Sequence, residues 1–133
     1  MVADLQSQLA AIVGAANVMP QDEARIHYAH DQWWYAVAAS GAGQPISCPS
    51  VAVRPAGTEQ VAAIVRLANE LRVPITPWGG GSGVQGAANA DQGGIVLDLR
   101  GMQRVRSIDE KSLTCVVEAG LACRDFEALL NER

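Results

Sequence analysis

Between Thr76 and Gly86 the chain reads TPWGGGSGVQG, the stretch whose residue types and spacing point most directly to chemistry. Gly79, Gly80, Gly81, Gly83 and Gly86 each cost conformational entropy, which a fold retains where φ must be positive or another body approaches closely. Three phosphate-binding arrangements use such a run. A P-loop needs a lysine and a hydroxyl straight after its last glycine, whereas Ala87 and Ala88 follow Gly86. The dinucleotide fingerprint G-x-G-x-x-G is matched by GSGVQG. That motif opens a crossover helix and precedes an acidic residue by about 20 positions. Here AANADQGG is too short for the helix, and Asp98 arrives well inside that spacing. The third arrangement needs no helix: successive amides in an irregular loop form a concave nest of N–H donors suited to pyrophosphate. No Lys or Arg lies between Pro74 and Leu99, so such donors would be backbone groups. A plain linker is the competing reading. Pro77 and Trp78 on one side and an apolar strand on the other argue against it.

The remaining reactive side chains form no comparable pattern. His27, His30 and Asp31 fall on one helical turn, but the chain holds only 2 His, and no third strong ligand follows at a metal-site spacing. They read as partly exposed polar residues, and no metal site is expected. Cys48, Cys115 and Cys123 are odd in number and contain no C-x-x-C pair, which fits reduced, structural thiols in a cytoplasmic protein. His27, His30, Asp98 and Glu118 are the candidates for acid–base work, and none has a partner arranged for proton transfer. No catalytic residue is expected within the chain.

Composition bounds the class. The 133 residues are 49% hydrophobic and 18% charged, with a net charge of −4, as in one globular unit with no basic footprint for nucleic acid. No apolar run is long enough to span a membrane.

The elements that would position the glycine loop follow from periodicity. Leu5, Leu9, Ile12, Val13 and Ala16 mark an amphipathic helix ending near residues 14–17. Residues 26–50 have no sustained period and carry Gly41, Gly43, Pro45 and Pro49, which predicts an extended arm anchored by Trp33, Trp34 and Tyr35. SVAVRP then predicts a strand. Thr58 stands as N-cap of a helix whose stripe is Val61, Ile64, Val65, Ala68 and Leu71. VPITP is a second strand and GGIVLDL a third, so strand, helix and strand form a βαβ unit with its first two strands parallel. RVRSID and LTCVVEA flank the turn DEKS as an antiparallel hairpin, with Val105 and Ile108 against Leu113, Cys115 and Val117. LACRDFEALLNER predicts a last helix with Leu121, Phe126, Leu129 and Leu130 on its apolar side. The expected fold is α/β (α+β): a small parallel sheet with helices, then an antiparallel hairpin and helix.

Residues 50–131 carry a family resemblance: the RP before the helix, the P-x-G-G-G-S loop, the G-x-V-L-D-L strand, the I-D-E turn and V-E-A-G. The chain resembles the first half of the FAD-binding domain of the vanillyl-alcohol oxidase and para-cresol methylhydroxylase (PCMH) family. Within it, the chain is most similar to the glycolate oxidase, D-lactate dehydrogenase and alkyl-dihydroxyacetonephosphate synthase branch. The resemblance implies that Pro77, Trp78, Gly79, Gly80, Gly81, Ser82 and Gly83 wrap the FAD pyrophosphate, with Gly86 and Ala87 continuing along the cofactor. Trp78 stands where the family often has arginine. Ser82 stands where some members attach FAD through histidine, so dissociable FAD is implied. Glu118, Ala119 and Gly120 fall where the family brings backbone near the flavin.

The resemblance further implies an FAD-dependent oxidoreductase acting on a 2-hydroxy acid such as lactate or glycolate. The alternatives are an ether-lipid synthase of the same branch and a non-catalytic binding module. It divides the chain into a leader (1–49), a first α/β subdomain (50–100) and the start of a truncated antiparallel subdomain (101–133). In the family the FAD domain continues for about as many residues again. Three amide–phosphate bonds contribute about 1.5–3 kcal/mol each against an association cost of about 4–15 kcal/mol. The isolated chain is therefore expected to be inactive and to hold FAD weakly or not at all. The free edge of LTCVVEA is expected to pair with another chain, giving a homo-oligomer.

Overall fold

The computed structural model describes residues 2–132. Two helices cover one face of a four-stranded sheet: α1 (Val2–Val13) and α4 (Thr58–Leu71). The strands are β1 (Val18–Pro20), β2 (Val51–Val53), β3 (Ile75–Trp78) and β4 (Ile95–Asp98), in spatial order β1-β2-β4-β3. β2 and β3 each pair with β4 in parallel, so they share a direction as expected, but β4 lies between them. Burial explains the order. IVLD of β4 is buried at all four positions, as a central strand requires. β3 carries Pro77, which cannot donate to a ladder and suits an edge. The other edge, β1, pairs with β2 antiparallel and was not anticipated. It is three residues long and ends in Pro20, leaving no run for a periodicity argument.

Alternation along β2 and β4 sorts the core into two layers. Val51, Val53, Ile95 and Leu97 pack with Leu5, Leu9, Val13, Ile64 and Ala68. Ala52 and Val96 face the opposite side, against Ala24, Tyr28, Trp78 and Ala90. A buried Leu, Ile or Val contributes about 1.5–3 kcal/mol, so the first layer carries most of the apolar stabilisation. The second is lighter and holds the loop chemistry.

Four expectations need correction. Residues 26–50, expected as an extended arm, contain the end of one short helix, α2 (Gln21–His27), and the whole of another, α3 (Trp34–Gly41). Their buried residues within the helices are Ala24 and Ala36 alone, so docking through small side chains replaces the stripe that would betray a helix. Thr58 is the first helical residue rather than the N-cap; Gly57 occupies that place, and Gln60 Oε1 instead accepts from Ala56 N–H at 2.7 Å. In the hairpin β5 (Val105–Asp109) and β6 (Thr114–Val117), Val105 pairs with Val117 and Ile108 with Cys115. Leu113 does not pair: it ends the turn with φ 54° and is 89% exposed. The turn is closed by Asp109, whose carboxylate accepts from Lys111 N and Ser112 N. Finally, Trp34 and Tyr35 are exposed, so of the three clustered aromatics only Trp33 anchors the arm.

The last helix, α5 (Cys123–Asn131), half-buries Phe126 and Leu129 and leaves Leu130 exposed, while Leu121 precedes it. Cys48 is half-buried and donates to Ala90 O at 3.4 Å, whereas Cys115 and Cys123 are exposed and serve no core. Among the described residues no helix is long and apolar enough to cross a membrane, and no group of three or more His, Cys, Asp or Glu could hold a metal ion.

Candidate functional site

The glycine loop leaves the sheet at the carboxyl end of β3, the edge where open α/β sheets receive ligands. Trp78, the last strand residue, turns its indole inward. The ring is buried and meets Tyr28 edge-on at 5.0 Å between centroids. Its side chain therefore takes no part in a surface cradle, and only its backbone is available there.

The glycines separate into two kinds. Gly81 has φ 64° and lies directly on the Trp78 ring, which a Cβ would strike. Gly86 has φ 82°, and a Cβ there would sit 2.7 Å from the Trp33 ring. Both are glycine because the fold requires it. Gly79 and Gly80 are different. Neither has positive φ; a Cβ on Gly79 would meet only Ala119 O at 3.9 Å, and one on Gly80 only Ser82 Oγ at 3.7 Å. Nothing inside the chain demands glycine at these two positions.

The amides tell the same story. From Gly79 through Ala88 no backbone N–H donates to an acceptor among the described residues; the first to do so is Asn89, to Gly86 O at 3.1 Å. Backbone donors left without protein partners must be met by water or a ligand. A run of them at a loop after a strand is a ready anion site. Ser82, Gly83 and Ala87 are exposed along this run.

The V-E-A-G segment comes to the root of the same loop, as the Gly79–Ala119 approach shows. Gly120 presses on the Leu99 carbonyl in the turn after β4, with Gly120 N–H donating to Met102 O at 2.9 Å. The Glu118 carboxylate faces elsewhere. It accepts from Arg104 N at 2.8 Å, Arg104 Nε at 3.0 Å and Arg106 Nη2 at 2.6 Å. The backbone bond from Arg104, aided by both guanidiniums, holds its pKa below the usual carboxylate range.

A second ionic cluster braces the strand ends beneath the loop. Asp98 is 1% exposed, with Arg54 and Arg100 bonded to it and Tyr28 Oη donating at 2.8 Å. Burial opposes its ionisation, but bonds from Arg100, Arg54, the Arg100 amide and Tyr28 prevail and bring its pKa from 3.8 to about 2. Burial, then Asp98, raises the Tyr28 pKa. A general base is most effective with a pKa near the working pH, so neither carboxylate suits that role. His27 is exposed, and His30 Nδ1 lies 2.7 Å from Asp31 O.

Asp31, read from the sequence as a partly exposed polar residue, is fully buried against the loop. Its Oδ1 accepts from Trp33 N at 3.0 Å and Asn89 Nδ2 at 3.2 Å, and Asn89 Oδ1 accepts from Asp31 N at 2.9 Å. Gln32 N donates to Gly83 O at 2.8 Å. Residues 31–33 thus back the loop from 83 to 89. Trp33 and Asn89 share that role while Tyr28 packs on Trp78 at the root of the loop, and all three lie in segments without periodicity, where no spacing marks them out.

The FAD binding domain family model matches residues 49–133. An uncharacterised FAD-linked oxidoreductase of Mycobacterium tuberculosis is 32% identical over 96% of this chain and 26% of its own length. The glycolate oxidase subunit GlcD of Bacillus subtilis is 30% identical over 92% of this chain and 24% of its own length. The chain thus spans about a quarter of the curated relatives it matches. Among solved structures, alkyldihydroxyacetonephosphate synthase superposes with a TM-score of 0.85 and 25% identity, over 98% of this chain and 27% of that one. Substrate-bound p-cresol methylhydroxylase gives 0.78 and 26%, over 98% and 24%. The chain belongs to the FAD-binding-domain family, of the type found in the vanillyl-alcohol oxidase and para-cresol methylhydroxylase flavoenzymes.

Proposed function

We propose that this chain holds the pyrophosphate of FAD on the amides of Gly79, Gly80, Gly81, Ser82 and Gly83, within an oxidoreductase acting on a 2-hydroxy acid. The carrying observation is the run of N–H groups from Gly79 to Ala88 that meet no acceptor among the described residues, beginning at two glycines that nothing among those residues explains. Pro77 and the Trp78 backbone lead the chain into the site. Gly86 and Ala87 extend it, and the backbone of Glu118, Ala119 and Gly120 closes its root. Bound FAD supplies the electron sink for a hydride from the hydroxyl-bearing carbon of the substrate. This chain's share is to bind and orient the cofactor without a covalent link, since Ser82 offers no ring nitrogen. The 2-hydroxy-acid assignment draws support from the glycolate oxidase relative. The structural likeness to alkyldihydroxyacetonephosphate synthase supports a second reading, a transferase that uses FAD in a carbon–oxygen exchange.

We further infer that the chain associates through β6, whose four residues are all exposed and include Val116 at 59%. An uncovered apolar strand is a template for pairing.

The test of cofactor binding is titration of the purified chain with FAD, followed by flavin fluorescence and calorimetry, with ADP in parallel. Weak, saturable binding of both, lost on Gly80→Ala, is the expected result. Saturable binding that Gly80→Ala leaves unchanged would remove the loop from the cofactor site.

A further inference from the structure

Gly81 stands in the middle of the five residues proposed to carry the pyrophosphate. Its φ is 64°, a conformation that glycine enters and leaves freely. From Gly80 to Ser82 no backbone N–H or carbonyl makes a hydrogen bond among the described residues. Packing must therefore fix this turn. Gly81 lies on the indole of Trp78, whose Cζ2, Cε2 and Cη2 are the atoms nearest to a Cβ built on that glycine. The indole in turn sits at the end of an edge strand and meets Tyr28 edge-on, with ring centroids 5.0 Å apart and planes at 83°. Tyr28 is 2% exposed and is the one large buried side chain beside Trp78, in a layer otherwise made of Ala24, Ala52, Ala90 and Val96. Its hydroxyl donates to Asp98 at 2.8 Å, so the phenol lies inside with its polar end satisfied.

We propose that Tyr28 is a positioning residue of the pyrophosphate loop, its ring acting through the Trp78 indole to hold Gly81 in its left-handed turn. The gain is preorganisation: a loop already in its binding conformation loses less freedom when an anion arrives. The alanines of the same layer have no side chain long enough to take over the contact with the indole, so the task falls on one ring. The proposal rests on the pyrophosphate reading for its purpose. The chain of contacts from Tyr28 to Gly81 stands without that reading, so the two can fail separately.

Tyr28→Leu removes the ring and Tyr28→Phe keeps it, and two measurements compare them with the wild type. The first is the pair of Gly81 Hα resonances in the ligand-free chain, which the indole ring current separates. In Tyr28→Leu that separation should collapse toward the value at Gly80; in Tyr28→Phe it should persist. The second is titration with inorganic pyrophosphate well below the Tm of each variant, where a mere loss of stability leaves the affinity unmoved. Tyr28→Leu should bind about tenfold more weakly, the scale of one lost bond to a charged acceptor, and Tyr28→Phe should match the wild type. A Gly81 separation or an affinity that Tyr28→Leu leaves unchanged overturns the proposal. So does a change in Tyr28→Phe as large as that in Tyr28→Leu, which would assign the effect to the Asp98 bond instead of the ring. Should Tyr28→Leu fail to fold, Trp78→Phe withdraws the indole from Gly81 and must weaken pyrophosphate by the same factor; unchanged affinity there overturns the proposal too. In the wild type, nuclear Overhauser contacts from the Trp78 ring to both Tyr28 and Gly81 are required, and the absence of either overturns it. A wild type that binds no pyrophosphate removes the cofactor reading, and the Gly81 resonances then decide the positioning role alone.

Discussion

Replacing Gly80 and Gly81 separately by alanine divides the loop's structural requirement from its binding requirement. At Gly80 the new methyl meets only Ser82 Oγ at 3.7 Å, and φ is not positive. Folding should be unaffected or gain about 0.4–1 kcal/mol from the stiffer unfolded chain. At Gly81 the methyl must occupy φ 64° and strike the buried Trp78 ring. The left-handed conformation costs about 1–2 kcal/mol, and crowding a packed ring costs about 1–3 kcal/mol more. The sum, about 2–5 kcal/mol, corresponds to a fall in Tm on the order of 10 °C for a domain of this size. Binding should rank the other way for each unit of stability lost. A methyl on Gly80 adds bulk to the loop proposed to hold the pyrophosphate, and losing one or two bonds to phosphate, at about 1.5–3 kcal/mol each, weakens FAD about tenfold or more. Thermal unfolding by circular dichroism and calorimetric FAD titration on the two single variants provide the readouts. If Gly80→Ala lowers Tm as far as Gly81→Ala, the division of the glycines is wrong. If Gly80→Ala folds normally and binds FAD like wild type, the loop is a connector.

Two further outcomes follow from the ionic cluster and the open hairpin. Asp98 has a pKa of about 2 in the folded chain against an ordinary 3.8. The stabilisation is therefore present above pH 4 and is lost as pH falls from about 4 through 2; allowing for solvent screening of the half-exposed arginines, it amounts to about 1 kcal/mol. Denaturant melts between pH 5 and pH 2 should show that component vanish in Asp98→Asn, and an unchanged acid limb would refute it. For the hairpin, Val116→Lys places a charge on the exposed β6 strand and should shift the sedimentation profile of concentrated protein toward monomer; a wild type already monomeric at high concentration would refute association through β6.

Much of the architecture is legible wherever a repeat is long enough to bury a face. Leu5, Leu9 and Val13, spaced four apart, become the buried side of α1. The apolar IVL run becomes the central strand, and V-R-S-I-D with T-C-V-V becomes the hairpin. The arm was illegible for the opposite reason: α2 and α3 dock through single alanines, and a three-residue β1 offers no period. Asp31 shows the limit most clearly. Its composition and neighbours mark a surface residue, and only the return of residues 83–89 over it makes it a buried one.

The sequence by itself determined that a glycine loop follows a strand and which family the chain matches, because both rest on residue type and spacing. Tertiary structure alone decided which glycines the fold requires and which nothing inside it explains. That division depends on where the indoles of Trp33 and Trp78 lie, and a local pattern cannot say what will be packed behind a loop.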